Sequence, residues 1–230
     1  MEKIPSKKTS DSIASQYDRG TTATEYAESS LENAEKDPGR LFLRESLSML
    51  PRDTAIIDVG CGSGLDLAQY QKMGFTDLYG IDPSVSFIEA DKKILNGVDL
   101  QQGTFEHVPY PAASFNAVVS RFALHYSRDI QASLREVARV LKPGGSFSAV
   151  ISHPEADALE RRDAAGNVTI TLFDGKVSIT YPQHVLDEYF TGTFNEYFVL
   201  EKQMEYCGKE QDRGKRNDLN NTLCFLARRK

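Results

Sequence analysis

A chain of 230 residues is long enough to bury the core of one complete α/β domain and short for two. With 40% hydrophobic and 26% charged residues it reads as globular, which excludes an extended disordered chain. A formal net charge of −6 argues against broad electrostatic capture of nucleic acid or an anionic membrane, both of which want a basic surface. The basic runs Lys209–Arg216 and Arg228–Lys230 read as solvated surface. No apolar run approaches the ~20 residues of a membrane span, and Met1–Ser12 lacks the apolar core of a secretory signal. Three cysteines, Cys61, Cys207 and Cys224, have neither disulfide parity nor metal-ligand spacing. The reading is a cytoplasmic protein with no metal site.

In chain order, residues 1–12 form a polar tail and 13–50 a helical cap. The cap is marked early by Ile13, Tyr17 and Tyr26, then by a stripe of Leu41, Phe42, Leu43, Leu47 and Leu50. Residues 51–230 read as the main domain. Ala55–Val59 is an apolar run of the kind a parallel strand needs when both its faces are covered. It ends in Gly60-Cys61-Gly62-Ser63-Gly64 and is followed by a helix from about Leu65 to Met73. Leu78–Ile81 is the second strand, and Ser84 caps a helix running to about Leu95. Val98–Leu100 and Phe115–Val119 are the third and fourth strands. Asp129–Leu141 is an amphipathic helix, ended by Lys142-Pro143-Gly144-Gly145, and Ser146–Ser152 is the fifth strand. Alternating strands and helices of this kind imply right-handed crossovers and a doubly wound, mostly parallel sheet with helices on both faces.

Beyond Pro154 the rhythm changes. Val168–Phe173 and Lys176–Thr180 flank Asp174-Gly175, a hairpin signal, inside a lid-like insertion spanning about 154–182. Pro182–Phe190 reads as helix, and Phe198–Tyr206 with Thr222–Ala227 as a C-terminal antiparallel hairpin that brings the sheet to seven strands.

The glycine loop carries most of the information. Glycines after a buried strand allow a tight turn and close approach to a ligand, while the amides that open the next helix offer donors. One glycine would suffice for the turn; three alternating ones ask for more. The dinucleotide fingerprint G-x-G-x-x-G fails, because Leu65 and Leu67 stand where its last glycine is needed. With no Tyr-x-x-x-Lys dyad either, a nicotinamide-dependent oxidoreductase is disfavoured.

Asp58-Val59-Gly60-Cys61-Gly62-Ser63-Gly64 resembles motif I of the class I S-adenosylmethionine-dependent methyltransferases. Three further stretches resemble that Rossmann-like family in the right order: Ile81-Asp82, Gly103–Tyr110 with Ser114-Phe115-Asn116, and Leu134–Gly145. The resemblance covers about Ile13 to Ser152. It implies S-adenosylmethionine as cofactor, held by Asp58, Gly60, Cys61, Gly62, Gly64, Asp82, Pro83, Thr104, Phe105 and Ser120, with Tyr17 and Tyr26 closing over its methionine end. Asp82 would accept hydrogen bonds from both ribose hydroxyls. Two positions depart from the family: Thr104 stands where an acid contacts the adenine, and Asn116 where an Asp is usual.

By analogy with the fold, an acceptor approaches over the C-terminal strand ends. His125 and His153 stand there as candidate bases, and Arg121 and Tyr126 as acceptor contacts. Each histidine could instead be structural, and Arg121 could simply pair with a surface acid. Ser120–Ala123 lacks the [DNS]-P-P-[YF] element of base-modifying amino-methyltransferases, which points away from nucleic acid. The expected function is methyl transfer to O, N or C of a small molecule, by a monomer or homodimer. Alternatives are a non-catalytic cofactor-binding partner, or a methyltransferase acting on tRNA or protein.

Overall fold

A computed structural model describes residue 16 and residues 35–157, 162–172, 177–207 and 221–230. Tyr17, Tyr26 and the Asp174-Gly175 turn lie outside the described residues.

The elements follow the sequence order: α1 (Pro38–Leu47), β1 (Ile56–Val59), α2 (Leu65–Lys72), β2 (Leu78–Asp82), α3 (Val85–Asp91), β3 (Val98–Gln102) and β4 (Phe115–Arg121). A 3₁₀ turn at Leu124–Tyr126 precedes α4 (Ile130–Val140) and β5 (Leu141–Ser152). Then come α5 (Pro154–Asp157), β6 (Asn167–Leu172), β7 (Val177–Pro182), α6 (Leu186–Phe190), α7 (Thr193–Tyr197), β8 (Phe198–Tyr206) and β9 (Thr222–Arg229). Seven strands form one sheet in the order β3-β2-β1-β4-β5-β9-β8. The first five are parallel, and β9 and β8 join antiparallel, as the sequence predicts. β6 and β7 pair antiparallel in a separate two-stranded sheet.

The central strands feed two cores because successive side chains point to opposite faces. Ile57, Val59 and Val118 pack with Leu134 and Val137 of α4 on one face. Ile56, Ala117 and Val119 pack with Leu67 and Tyr70 of α2 and Ile88 of α3 on the other. This two-sided burial is why β1 is apolar at three of its four positions. Side-chain caps set the starts of α1, α3 and α4: Asp37 accepts from the Arg40 amide (2.8 Å), Ser84 from Phe87 (3.3 Å) and Asp129 from Ala132 (2.8 Å).

Several expected boundaries are corrected. α3 ends at Asp91, four residues before Leu95. The fifth strand starts at Leu141, directly after α4, rather than at Ser146. Its register with β4 jumps from Phe115↔Leu141 to Ala117↔Ser146, so Lys142–Gly145 form a bulge within the strand. Pro182 ends β7, and the helix expected over Pro182–Phe190 covers only Leu186–Phe190. Leu41 is 49% exposed, because in α1 the residues facing the sheet are Phe42, Leu43 and Leu47. Among the described residues no helix is long and apolar enough to cross a membrane.

The β6–β7 pair is fastened from two sides. Tyr181 packs edge-on against His125 (5.2 Å) and Tyr126 (5.0 Å). The Gln16 carboxamide grips β7 by donating to the Thr180 carbonyl (3.0 Å) and accepting from the Thr180 amide (2.8 Å).

Leu134 is fully buried between α4 and the sheet. Leu134→Ala is expected to cost about 2–5 kcal/mol. A urea midpoint unchanged from wild type would contradict this packing.

Candidate functional site

The C-terminal end of β1 delivers the chain into the glycine loop, where Gly60, Gly62 and Gly64 have φ of 80°, 54° and 64°. All three occupy the left-handed region that side chains disfavour. Space demands glycine as well: a Cβ on Gly60 would overlap the Ala123 methyl, and one on Gly64 would lie 2.9 Å from an Asp91 carboxylate oxygen. Conformation thus favours glycine at all three positions, and contact as well at Gly60 and Gly64, before any ligand is considered.

The loop is tied to the neighbouring strand. The Gly60 and Cys61 amides both donate to the Ile81 carbonyl (2.8 and 3.0 Å). The buried Asp82 carboxylate accepts from the Gly62 amide on one oxygen (3.0 Å) and from the Ser84 amide on the other (2.9 Å). Asp82 therefore joins the turn after β1 to the turn after β2 and opens onto a cleft of about 650 Å³. Gly60, Gly62, Asp82, Pro83, Thr104 and Phe105 line it together with Arg121, Phe122, Ala123 and Tyr126. Thr104 and His107 exchange backbone hydrogen bonds (3.1 and 3.2 Å), which closes the loop that presents Phe105. Phe122, at φ 52°, is a non-glycine residue in the left-handed region, a backbone cost that recurs at functional sites.

The structure thus gathers Gly60, Gly62, Asp82, Pro83, Thr104, Phe105, Arg121 and Tyr126 around one cleft. It does not bring in the remaining described candidates. Asp58, Cys61 and Gly64 lie under or behind the loop rather than among the lining residues. The buried Ser120 hydroxyl is spent on the Val59 carbonyl (2.8 Å), fastening β4 to β1. His153 is buried, with Nδ1 accepting from the Glu155 amide (3.2 Å) and Nε2 3.6 Å from a Glu205 carboxylate oxygen. His125 is buried behind Tyr126, with ring centroids 4.1 Å apart. Burial, with the neighbouring His184, pushes its imidazole down to about 3, so at neutral pH it is uncharged.

Charge crowds beneath the loop. Asp66, in the first turn of α2, accepts from Arg40 Nε (2.8 Å) and Arg121 Nε (2.9 Å), so Arg121 is held by a buried protein carboxylate while it lines the cleft. Burial, reinforced by Asp66, raises the Asp58 carboxyl well above the usual range. Burial and the adjacent Asp82 push Asp91 up to about 8. The Cys61 thiol is raised chiefly by burial, and also by Asp82.

Sequence reasoning missed the far wall. Glu106 accepts from the Ser127 hydroxyl (2.8 Å) and the Arg128 amide (2.9 Å), and so links the Phe105 loop to the 3₁₀ turn. His184 bridges that turn to α6, with Nε2 2.8 Å from the Ser127 carbonyl and Nδ1 2.7 Å from Glu188. These partners are 21 and 57 residues apart, beyond the reach of any local pattern. Phe87, His107 and Arg128 also line the cleft.

Residues 57–149 match the methyltransferase domain family. A demethylmenaquinone methyltransferase of Symbiobacterium thermophilum is 33% identical over 102 residues, covering 40% of each chain. The chain spans about two fifths of the length of the first curated relatives it matches. Among solved structures, an S-adenosylmethionine dependent methyltransferase from Mesorhizobium loti superposes with a TM-score of 0.61 at 21% identity, covering 79% of this chain and 94% of that one. The [4+2]-cyclase SpnF superposes with a TM-score of 0.69 at 16% identity, covering 94% of both.

Two outcomes are expected from this geometry. Gly60→Ala must relieve the overlap with Ala123 and leave the left-handed region, at a cost of about 1–3 kcal/mol; an unshifted melting temperature would refute the constraint. For His125 the folded value lies below the unfolded 6.5, so the unfolded chain binds more protons and stability falls as pH drops from about 6.5 towards 3. Urea unfolding between about pH 7 and pH 5 should show a shallower pH slope in His125→Phe, by at most about 1.4 kcal/mol per unit. Equal slopes would show that His125 does not titrate this way.

Proposed function

We propose that this chain, whose residues 57–149 match a methyltransferase domain family, is a class I S-adenosylmethionine-dependent methyltransferase that transfers a methyl group from that cofactor to a small-molecule acceptor by in-line displacement. The observation that carries the reading is Asp82. Its buried carboxylate lines the cleft beside two glycines at positive φ, held in place by the Gly62 and Ser84 amides, and a carboxylate is the acceptor type that a pair of ribose hydroxyls calls for. The rest of the cleft fits the same cofactor. Gly60 and Gly62 let the backbone approach the methionine portion, and Phe105, Pro83 and Thr104 supply the adenine side. Asp58, Cys61 and Gly64 act from beneath, by shaping the loop, and Ser120 acts by locking β4 to β1.

When bound, the cofactor supplies an electrophilic methyl on a sulfonium, so much of the work left to the protein is alignment and exclusion of water. Arg121 and Tyr126 are assigned to the acceptor side. Arg121 is tied to Asp66 through Nε, which restricts the orientation of its guanidinium. Proton removal is not assigned to His125 or His153, since both are buried off the cleft. His125 instead backs the Tyr126 ring. A small-molecule acceptor is supported by the net charge of −6 and by the demethylmenaquinone methyltransferase relative. The SpnF likeness is a reminder that a fold does not fix its reaction, so the test must read methyl transfer itself.

Calorimetric titration with S-adenosylhomocysteine and, separately, NAD checks the cofactor. Saturable binding of the first alone is expected, weakened about tenfold or more in Asp82→Ala for each charge-assisted hydrogen bond lost. Binding of NAD instead, or of neither, would overturn the reading. Labelled methyl groups should then enter the small-molecule fraction of a cell extract; label confined to tRNA or protein would refute the acceptor class.

A further inference from the structure

Asp91, the last residue of α3, is 1% exposed, and one carboxylate oxygen has no hydrogen-bond partner among the described residues. It packs against the glycine loop, 2.9 Å from where a Cβ on Gly64 would stand and beside Leu95, which meets the same point. An apolar side chain would fill that space without stranding a polar atom, and an unpaired buried carboxyl is costly in either protonation state. Packing alone therefore gives no reason for an acid here. The titratable groups facing Asp91 are Asp82 from β2, Asp58 from β1 and the Cys61 thiol from the loop. On its own helix Glu89 pairs at the surface with Lys92 (3.6 Å). Among the described residues, the charges acting on Asp91 are thus negative or neutral, and a cation would complement this corner.

The proposed cofactor differs from its product in that respect. The methyl donor carries a sulfonium and an ammonium against one carboxylate, for a net charge of +1. The demethylated product has a neutral thioether and no net charge. Resting on the cofactor reading above, we propose that Asp91 discriminates donor from product by charge: it holds a proton when the cleft is empty or contains the thioether, and releases it to solvent when the sulfonium enters. The carboxylic acid O–H bond breaks, the electron pair stays on the carboxylate, and the proton passes to the buffer. Burial and Asp82 bring the Asp91 carboxyl to about 8 in the empty protein, so a modest downward push by a cation moves it through neutral pH. Below both the bound and the free values the donor gains nothing from Asp91. As pH rises through that window donor affinity increases, by about tenfold for each pKa unit the cation shifts Asp91, while product affinity is unaffected by this residue. Asp91 is a specificity residue acting through charge.

Calorimetry of the full chain in two buffers of different ionisation enthalpy counts the protons released on binding S-adenosylmethionine or S-adenosylhomocysteine, between about pH 6.5 and pH 8.5. Asp91→Asn, which copies the shape of the protonated acid, is the comparison, and subtracting it removes the titration of the ligand's own amino group. Wild type is expected to release more protons than the variant with the sulfonium ligand and the same number with the thioether. Equal release by both proteins with the sulfonium ligand, or an equal excess with the thioether, would overturn the proposal. If the variant does not fold, wild type still decides: a ratio of the two affinities that stays constant across this range refutes it. If neither ligand binds, the cofactor reading itself has failed and this inference falls with it.

Discussion

The hydrogen bond from the Gly62 amide to the Asp82 carboxylate is the constraint on which the site depends. It joins two strand–helix turns that are remote in sequence, and with the Ser84 amide it fixes both carboxylate oxygens. The loop can reach Asp82 only because its glycines take positive φ, and it can pass under Ala123 only because Gly60 has no side chain. The parallel pairing of β1 with β2, in register from Ile56↔Leu78 to Val59↔Ile81, brings the two turns side by side at the same edge. Fold, loop conformation and carboxylate position are one geometric statement.

Electrostatics gives that statement a second meaning. Asp58, Asp66, Asp82 and Asp91 all lie buried around one short loop. Asp66 is matched by Arg40 and Arg121, and Asp82 by two amides. Asp58 and Asp91 are instead pushed towards their neutral forms, chiefly by burial. Carboxyl groups gathered behind the glycine loop would favour a guest that brings positive charge, as the proposed sulfonium cofactor does.

Much of the architecture was legible because strands buried on both faces must be short apolar runs and because glycine, proline and capping residues punctuate them. Ala55–Val59, Leu78–Ile81 and Phe115–Val119 were readable in that way, as was the antiparallel end formed by β8 and β9. The α4–β5 junction was not: the Lys142–Gly145 bulge looks like a loop locally and is a strand only because Phe115 pairs with Leu141. At the site, the glycine loop stood out by its three alternating glycines, and Asp82 through the resemblance to the methyltransferase family. His125 and His153 were correctly placed after strands, but sequence carries no depth, and both proved to be buried off the cleft. Asp91 and Glu106 were invisible, since their meaning lies in contacts with Gly64 and Ser127 that only the folded chain creates.

The grip of Gln16 on both backbone groups of Thr180 makes the side-chain amide a substitute for a neighbouring strand. A lone two-stranded ribbon is marginal in water and offers open edges to other chains. By spending one carboxamide on that edge, the protein shields part of the ribbon from pairing with another molecule and couples the order of the ribbon to a residue 164 positions earlier. The wall that Tyr181 helps to build against His125 and Tyr126 is therefore not a property of the insertion alone: it is completed by the beginning of the chain.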